Sequence, residues 1–161
     1  MNNEKNISLY AFEKYGDTVL RVAYACCGSY SEAEDITQDV FLLLHTKRVS
    51  FSSDEHLKAW LLRVAINKSK NFRRSFKVSR TQSLDEVPES VSSYIMNTDN
   101  TDIRDKMESL PKKYSSVIYL YYYEGYNIRE IGEILGKNEN TVSSLLQRGR
   151  QKLKLELEET L

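Results

Sequence analysis

Apolar residues recur along the 161-residue chain at three- and four-residue steps without sustained alternation, and only two prolines interrupt them, so the pattern predicts an all-α fold. Residues 7–15 and 17–27 read as one helix or two short ones. Ile7, Leu9, Phe12, Val19, Leu20, Val22 and Ala23 are the inward positions, and Gly28 is the stop. Residues 31–47 follow. Ser31 and Glu34 have capping-box spacing, in which hydroxyl and carboxylate each satisfy an orphan N–H. Ile36, Val40, Phe41 and Leu44 form the core stripe of that segment, leaving Asp35, Gln38, Asp39 and Leu42 on or beside its exposed side. After a loop from Arg48 to Ser52, Ser52 and Glu55 repeat the capping-box spacing. The helix they open carries Leu57, Trp60, Leu61, Val64, Ala65 and Phe72 on one face, and Arg63, Asn67, Lys70, Arg74 and Lys77 on another.

The period is lost over residues 78–101, where Ser, Thr, Asn, Asp and Glu dominate, so this stretch reads as a flexible linker between two small helical domains. Beyond it, a short helix is expected over 102–109, and Pro111 suits the first turn of the next one. That helix packs through Tyr114, Val117, Ile118 and Tyr121 and stops near Gly125, with the tyrosines of 119–126 serving as core and rim. Residues 127–136 give a short amphipathic helix through Ile128, Ile131, Ile134 and Leu135. Gly136 permits a tight turn, and Asn138 caps a last helix. Val142, Leu145, Leu146 and Leu153 face inward there, and Asn140, Thr141, Ser143, Ser144, Gln147, Arg148 and Arg150 face outward. This is helix-turn-helix logic: small polar side chains able to reach base edges come first, and cations able to grip phosphate follow.

Charge sharpens the picture. Lys+Arg and Asp+Glu balance at 23 each, which argues against a protein that coats DNA unaided. Yet residues 62–80 hold seven Lys/Arg and no Asp/Glu, whereas 78–111 hold three basic and seven acidic residues. The first domain thus ends in a helix offering cations and amides to an anionic, hydrogen-bonding partner. Cys26 and Cys27 are adjacent, so a bridge between them would be strained; they read as small buried apolar groups in a reducing compartment. No Cys/His spacing matches a zinc site, and His45 and His56 receive neither a metal nor a catalytic role. Paired carboxylates with a cleft signature, a nucleophile motif and a phosphate-binding glycine loop are all missing, so no enzyme, cofactor or small-molecule substrate is expected. With no apolar run of about 18 residues and no signal-peptide pattern, the chain is expected to be cytoplasmic.

Three stretches resemble one family, the small two-domain extracytoplasmic-function (ECF) sigma factors of bacterial RNA polymerase. EAEDITQDVFLLL resembles the polymerase-binding segment, AWLLRVAINKSKNFRR the promoter-melting helix, and LPKKYSSVIYLYYYEGYNIREIGEILGKNENTVSSLLQRGRQKL the C-terminal domain. By this resemblance, 1–77 corresponds to sigma region 2, 78–101 to the linker and 102–161 to sigma region 4. It implies that Asp35, Gln38, Asp39 and Leu42 dock the clamp helices of core RNA polymerase. It further implies that the 48–54 loop and the helix after it open the promoter's −10 element and hold it as single strand. Arg63, Lys68, Lys70, Arg73 and Arg74 would hold phosphates, Asn67 and Asn71 would read unpaired bases, and Phe51 would stack on one. Trp60, on the apolar stripe, reads as core. Asn140, Thr141, Ser143, Ser144, Gln147, Arg148 and Arg150 would read the duplex −35 element. An anti-sigma factor is a common partner in the family, although no residue here identifies one.

One departure weakens the last of these implications. Where the family pattern carries a cation, a serine and an arginine after the Thr–Val pair, this chain has Ser143, Ser144 and Leu145, so fewer phosphate contacts are expected from this lobe. Gly149 inside the helix costs roughly 1 kcal/mol relative to alanine. The competing readings are a stand-alone helix-turn-helix regulator, which leaves the first domain idle, and a helical adaptor that binds only protein.

Overall fold

The computed structural model describes residues 2–47, 49–79 and 110–159, with side chains described for 7–47, 49–70 and 110–154. Among the described residues every regular element is helical, and the chain divides into two compact units between Asp85 and Glu86. The helix expected over 102–109 and most of the expected linker lie outside the described residues.

The first unit packs α1 (Asn2–Cys27), α2 (Tyr30–Thr46) and α3 (Asp54–Ser79) around one core. α1 is a single helix. In an unbroken helix Leu9 stands about 200° from Ala11, which is fully buried, so Leu9 cannot share its face. The sequence places Leu9 and Phe12 inward; instead they are 57% and 55% exposed, with the Phe12 ring meeting Phe41 edge-on at 5.3 Å. Gly28 ends α1 with φ 76°, donating its N–H to the Tyr24 carbonyl at 2.9 Å. This reversal leaves Ser29 extended, and its Oγ accepts the Glu32 N–H, so Ser29 rather than Ser31 is the N-cap of α2. The expected stripe of Ile36, Val40, Phe41 and Leu44 is buried, joined by Ala33 and by Thr37, whose hydroxyl donates to the Ala33 carbonyl at 2.7 Å.

α3 begins one residue later than its expected cap. Ser53 Oγ accepts the His56 N–H at 3.1 Å, while His56 Nδ1 accepts the Ser52 N–H at 3.2 Å. The buried side of α3 is Leu57, Leu61, Leu62, Ala65, Ile66 and Ser69. Because α3 meets both α1 and α2, this face is turned from the predicted stripe, and Trp60 and Val64 are only half-buried. Both cysteines are buried thiols, and the Cys27 thiol donates to the Ser29 carbonyl at 3.2 Å.

The second unit contains α4 (Lys112–Ile118), a π-helical turn (Tyr119–Tyr123), α5 (Ile128–Leu135) and α6 (Glu139–Glu159). Pro111 is the N-cap of α4 rather than a first-turn residue. The π turn inserts about one extra residue into the helical register. Tyr119 and Leu120 are therefore buried, Tyr121 is half-buried instead of inward, and Tyr122 is exposed. Asn127 and Glu130 form a reciprocal capping box at the start of α5. Gly136, at φ 67°, makes the turn, and Asn138 Oδ1 accepts the Thr141 N–H at 2.8 Å to start α6. Gly149 sits where α6 crosses α4: an added Cβ would lie 2.9 Å from Ile118 Cδ1 and 3.2 Å from Tyr114 Cβ. The helix thus gives up intrinsic propensity at Gly149 for a close crossing.

Candidate nucleic-acid and protein interfaces

On α2, Asp35, Gln38, Asp39 and Leu42 are all exposed and recur at three- and four-residue steps, so helical geometry gathers them on one face. Leu42 is 61% exposed among them. The Phe12–Phe41 contact and the approach of Ser8 Oγ to His45 Nδ1 (3.4 Å) set α1 along the border of this face. Its surface therefore continues into the exposed Phe12, which the apolar pattern places in the core.

On α3, Arg63, Asn67 and Lys70 are exposed on one line. Lys68 is half-buried and stands about 100° around the helix from Asn67, off that line. The side chains of Asn71, Arg73 and Arg74 lie outside the described residues. Trp60 joins this side of the helix, its ring meeting Phe51 edge-on at 5.7 Å, while Phe51 meets His56 at 5.3 Å. The loop residue and the helix therefore form one aromatic cluster beside the Arg63–Asn67–Lys70 line. His56, given no role by the sequence, organises this corner. An Nδ1 that accepts a backbone N–H places the neutral ring's proton on Nε2. The signal was a histidine three residues after Ser53, the capping-box position usually held by Glu or Gln.

A polar cluster fastens the same corner to α1. Asp54 Oδ2 receives Lys14 Nζ and the Tyr10 hydroxyl, both at 2.7 Å, and Lys14 also donates to the Tyr10 oxygen at 3.1 Å. The hydrogen bond to Asp54, reinforced by Tyr10, raises the Lys14 pKa; the same bonds from Lys14 and Tyr10 hold the Asp54 carboxyl below its ordinary value. Desolvation raises the Tyr15 phenol beside them.

On α6, Asn140, Thr141, Ser143, Ser144, Gln147, Arg148 and Arg150 are all exposed, and Leu145 is half-buried. Arg150 differs from the rest: its guanidinium carbon lies 5.3 Å from the Tyr121 ring centre and 5.4 Å from that of Tyr122. No cluster of three or more potential metal ligands exists among the described residues, and no described helix is long and apolar enough to cross a membrane.

The family model for Sigma-70 region 2 matches residues 11–77, and that for Sigma-70, region 4, matches residues 101–153. The chain is 30% identical over 158 residues to the ECF RNA polymerase sigma factor SigW of Bacillus subtilis, covering 89% of this chain and 84% of that one. It is 27% identical to the RNA polymerase sigma factor SigV of the same organism, covering 85% and 82%. Among solved structures, the sigma factor RpoE of Bartonella quintana, crystallised with the anti-sigma factor NepR, shares the fold. The TM-score is 0.73 at 22% identity, covering 96% of this chain and 98% of that one.

Proposed function

Since the chain belongs to the ECF RNA polymerase sigma factors, we propose that it initiates transcription by binding core RNA polymerase and contacting the promoter with both of its units. Residues 1–77 act as the polymerase-binding and −10 unit, and 102–161 as the −35 unit. The observation that carries this reading is the pairing, within one three-helix unit, of an exposed acidic face holding an apolar Leu42 with a cationic, amide-bearing face beside an aromatic loop.

Each face has a distinct task. Asp35, Gln38 and Asp39 offer acceptors around Leu42, which suits a partner helix carrying cations beside an apolar pocket. Arg63, Lys70, Arg73 and Arg74 hold phosphates of the −10 strand, with Lys68 joining them from the flank of that line; Asn67 and Asn71 read base edges, and Phe51 and Trp60 offer rings to an unstacked base. The exposed residues of α6 read the −35 duplex, the early polar ones at base edges and Arg148 and Arg150 at phosphates. No bond is made or broken by the chain itself. Near-zero net charge keeps its own hold on DNA weak, so promoter binding depends on polymerase. An anti-sigma factor covering the same faces is a partner compatible with this arrangement.

The deciding experiment is single-round transcription with purified bacterial core polymerase, with and without the chain, on a pool of promoter fragments. Start sites that appear only with the chain are expected, and they supply the promoter sequences. Tight sequence-specific binding of the free chain to duplex DNA, with no capture of polymerase, would replace this reading with the stand-alone regulator.

A further inference from the structure

The π turn at Tyr119–Tyr123 has a consequence beyond core packing. In a regular helix Tyr121 would continue the buried line of Tyr114, Val117 and Ile118. The extra residue buries Tyr119 and Leu120 instead and turns Tyr121 and Tyr122 outward, toward α6. Their rings meet nearly at right angles (75°, centres 4.9 Å apart), and the Arg150 guanidinium lies against both. Among the described residues no carboxylate forms an ion pair with Arg150. A guanidinium held by ring faces keeps in-plane N–H donors for an anion, and the rings restrict its rotamers before that anion arrives.

The position of Arg150 on α6 gives the arrangement a use. From Asn138 to Gln147 the helix and its cap contain no cation, so positive charge on α6 starts at Arg148. Arg150 stands seven residues after Ser143, on nearly the same line and about 10.5 Å further along the axis. We propose that Tyr121 and Tyr122 are positioning residues, an aromatic seat that holds Arg150 as a preset phosphate clamp on the duplex bound by α6. This inference rests on the reading of α6 as the −35 helix. Arg148, exposed and with no ring against it among the described residues, is the flexible counterpart.

The test uses polymerase reconstituted with the full chain, on a duplex promoter fragment recovered by the transcription experiment, across a range of salt concentrations. Arg150→Ala is expected to lower the slope of log K against log salt by about one, as loss of one phosphate contact requires. Tyr122→Ala and Tyr122→Leu, the latter keeping apolar bulk without a ring, each weaken binding about three- to tenfold. Tyr122→Phe, which keeps the ring face, binds as the parent does. Tyr122→Leu adds nothing to Arg150→Ala, yet its loss multiplies with that of Arg148→Ala. The proposal is overturned if Tyr122→Leu binds normally, if its loss multiplies with that of Arg150→Ala, or if Tyr122→Phe loses as much as Tyr122→Leu. If the parent polymerase complex ignores replacement of the −35 duplex, the reading of α6 itself fails, and the inference with it.

Discussion

Lys14 Nζ lies 2.7 Å from Asp54 Oδ2, joining the middle of α1 to the first turn of α3 across 40 residues of chain. Both side chains are about half exposed (46% and 49%), so water and salt weaken the attraction. Its value is positional, because Asp54 directly follows the loop that carries Phe51.

The pKa directions set the pH window of this link. The lowered Asp54 carboxyl contributes stability that is full above the ordinary aspartate value, about 3.9, and is lost as pH falls through the depressed value of the folded chain. The raised Lys14 ammonium contributes stability that is full below the ordinary lysine value, about 10.4, and is lost as pH rises through the folded value. Asp54→Asn should therefore lower the thermal midpoint slightly near neutral pH. The two melting curves should converge below the depressed carboxyl value and draw closer in high salt. A difference that persists unchanged in strong acid would show that the Asp54 charge contributes neither through Lys14 nor at the start of α3.

Two glycines of the second unit should resist alanine to different degrees. At Gly149, overpacking against Ile118 and Tyr114 costs about 1–3 kcal/mol, against a gain of about 1 kcal/mol in helix propensity. Gly149→Ala therefore gives a net loss of roughly 1 kcal/mol. At Gly132 the new Cβ would lie 2.6 Å from the Lys137 carbonyl oxygen, a backbone atom that cannot step aside. Gly132→Ala should cost more, about 3 kcal/mol. Urea unfolding followed by circular dichroism reads both. Trp60, the chain's single tryptophan, lies in the first unit, so its fluorescence transition should stay in place. A neutral Gly132→Ala would mean that the α5–α6 turn opens without cost.

These contrasts mark what the sequence made legible. Helices were readable because periodic burial repeats over many residues, and single errors average out. The exposed sets on α2 and α6, and Arg63, Asn67 and Lys70 on α3, are readable for the same reason: Asp35, Gln38, Asp39 and Leu42 stand outward as expected. The sequence places caps one or two residues away because candidate serines lie close together, at 29 and 31 and at 52 and 53. Only the actual reversal after Gly28, or the reach of His56, selects between them. The π turn was hidden because four of the five residues from Tyr119 to Tyr123 are tyrosine, so the pattern does not say which ones are inside. Trp60 reads as core because local period ignores a ring arriving from the preceding loop, and the Tyr122–Arg150 contact joins residues too far apart for any local pattern.

Leu42 and Leu44 separate function from stability within one helical turn. Leu44 is 2% exposed, so Leu44→Ala should destabilise the first unit by about 2–5 kcal/mol. Leu42 is 61% exposed, so Leu42→Ala should stay within about 0.5 kcal/mol of the parent. If the α2 face docks polymerase, Leu42→Ala should nevertheless weaken capture of core polymerase by tenfold or more, a loss of about 1.4 kcal/mol. Titration of labelled chain with core polymerase measures it. Unchanged capture would move the docking surface elsewhere, with the exposed Phe12 beside Phe41 the next position to substitute.

Phe51 allows a sharper test, because stacking on an exposed base and wedging a duplex apart make opposite demands. Its ring is half-buried against Trp60 and His56, and His56 holds the backbone of the preceding turn through the Ser52 N–H. A ring fixed in this way is suited to receiving a base that has already left the helix. Stacking on one base is worth about 1–3 kcal/mol, so Phe51→Ala should weaken open-complex formation about 5- to 150-fold, measured by permanganate reactivity of −10 thymines. If Phe51 captures the base, the loss should persist on a promoter whose −10 segment is already unpaired by mismatches. If Phe51 acts by forcing the strands apart, the mismatched promoter should restore the variant to parental binding, because the work of opening has been removed. Persistence is the expected result, since the Trp60 and His56 contacts restrain the ring from the insertion that a wedge requires.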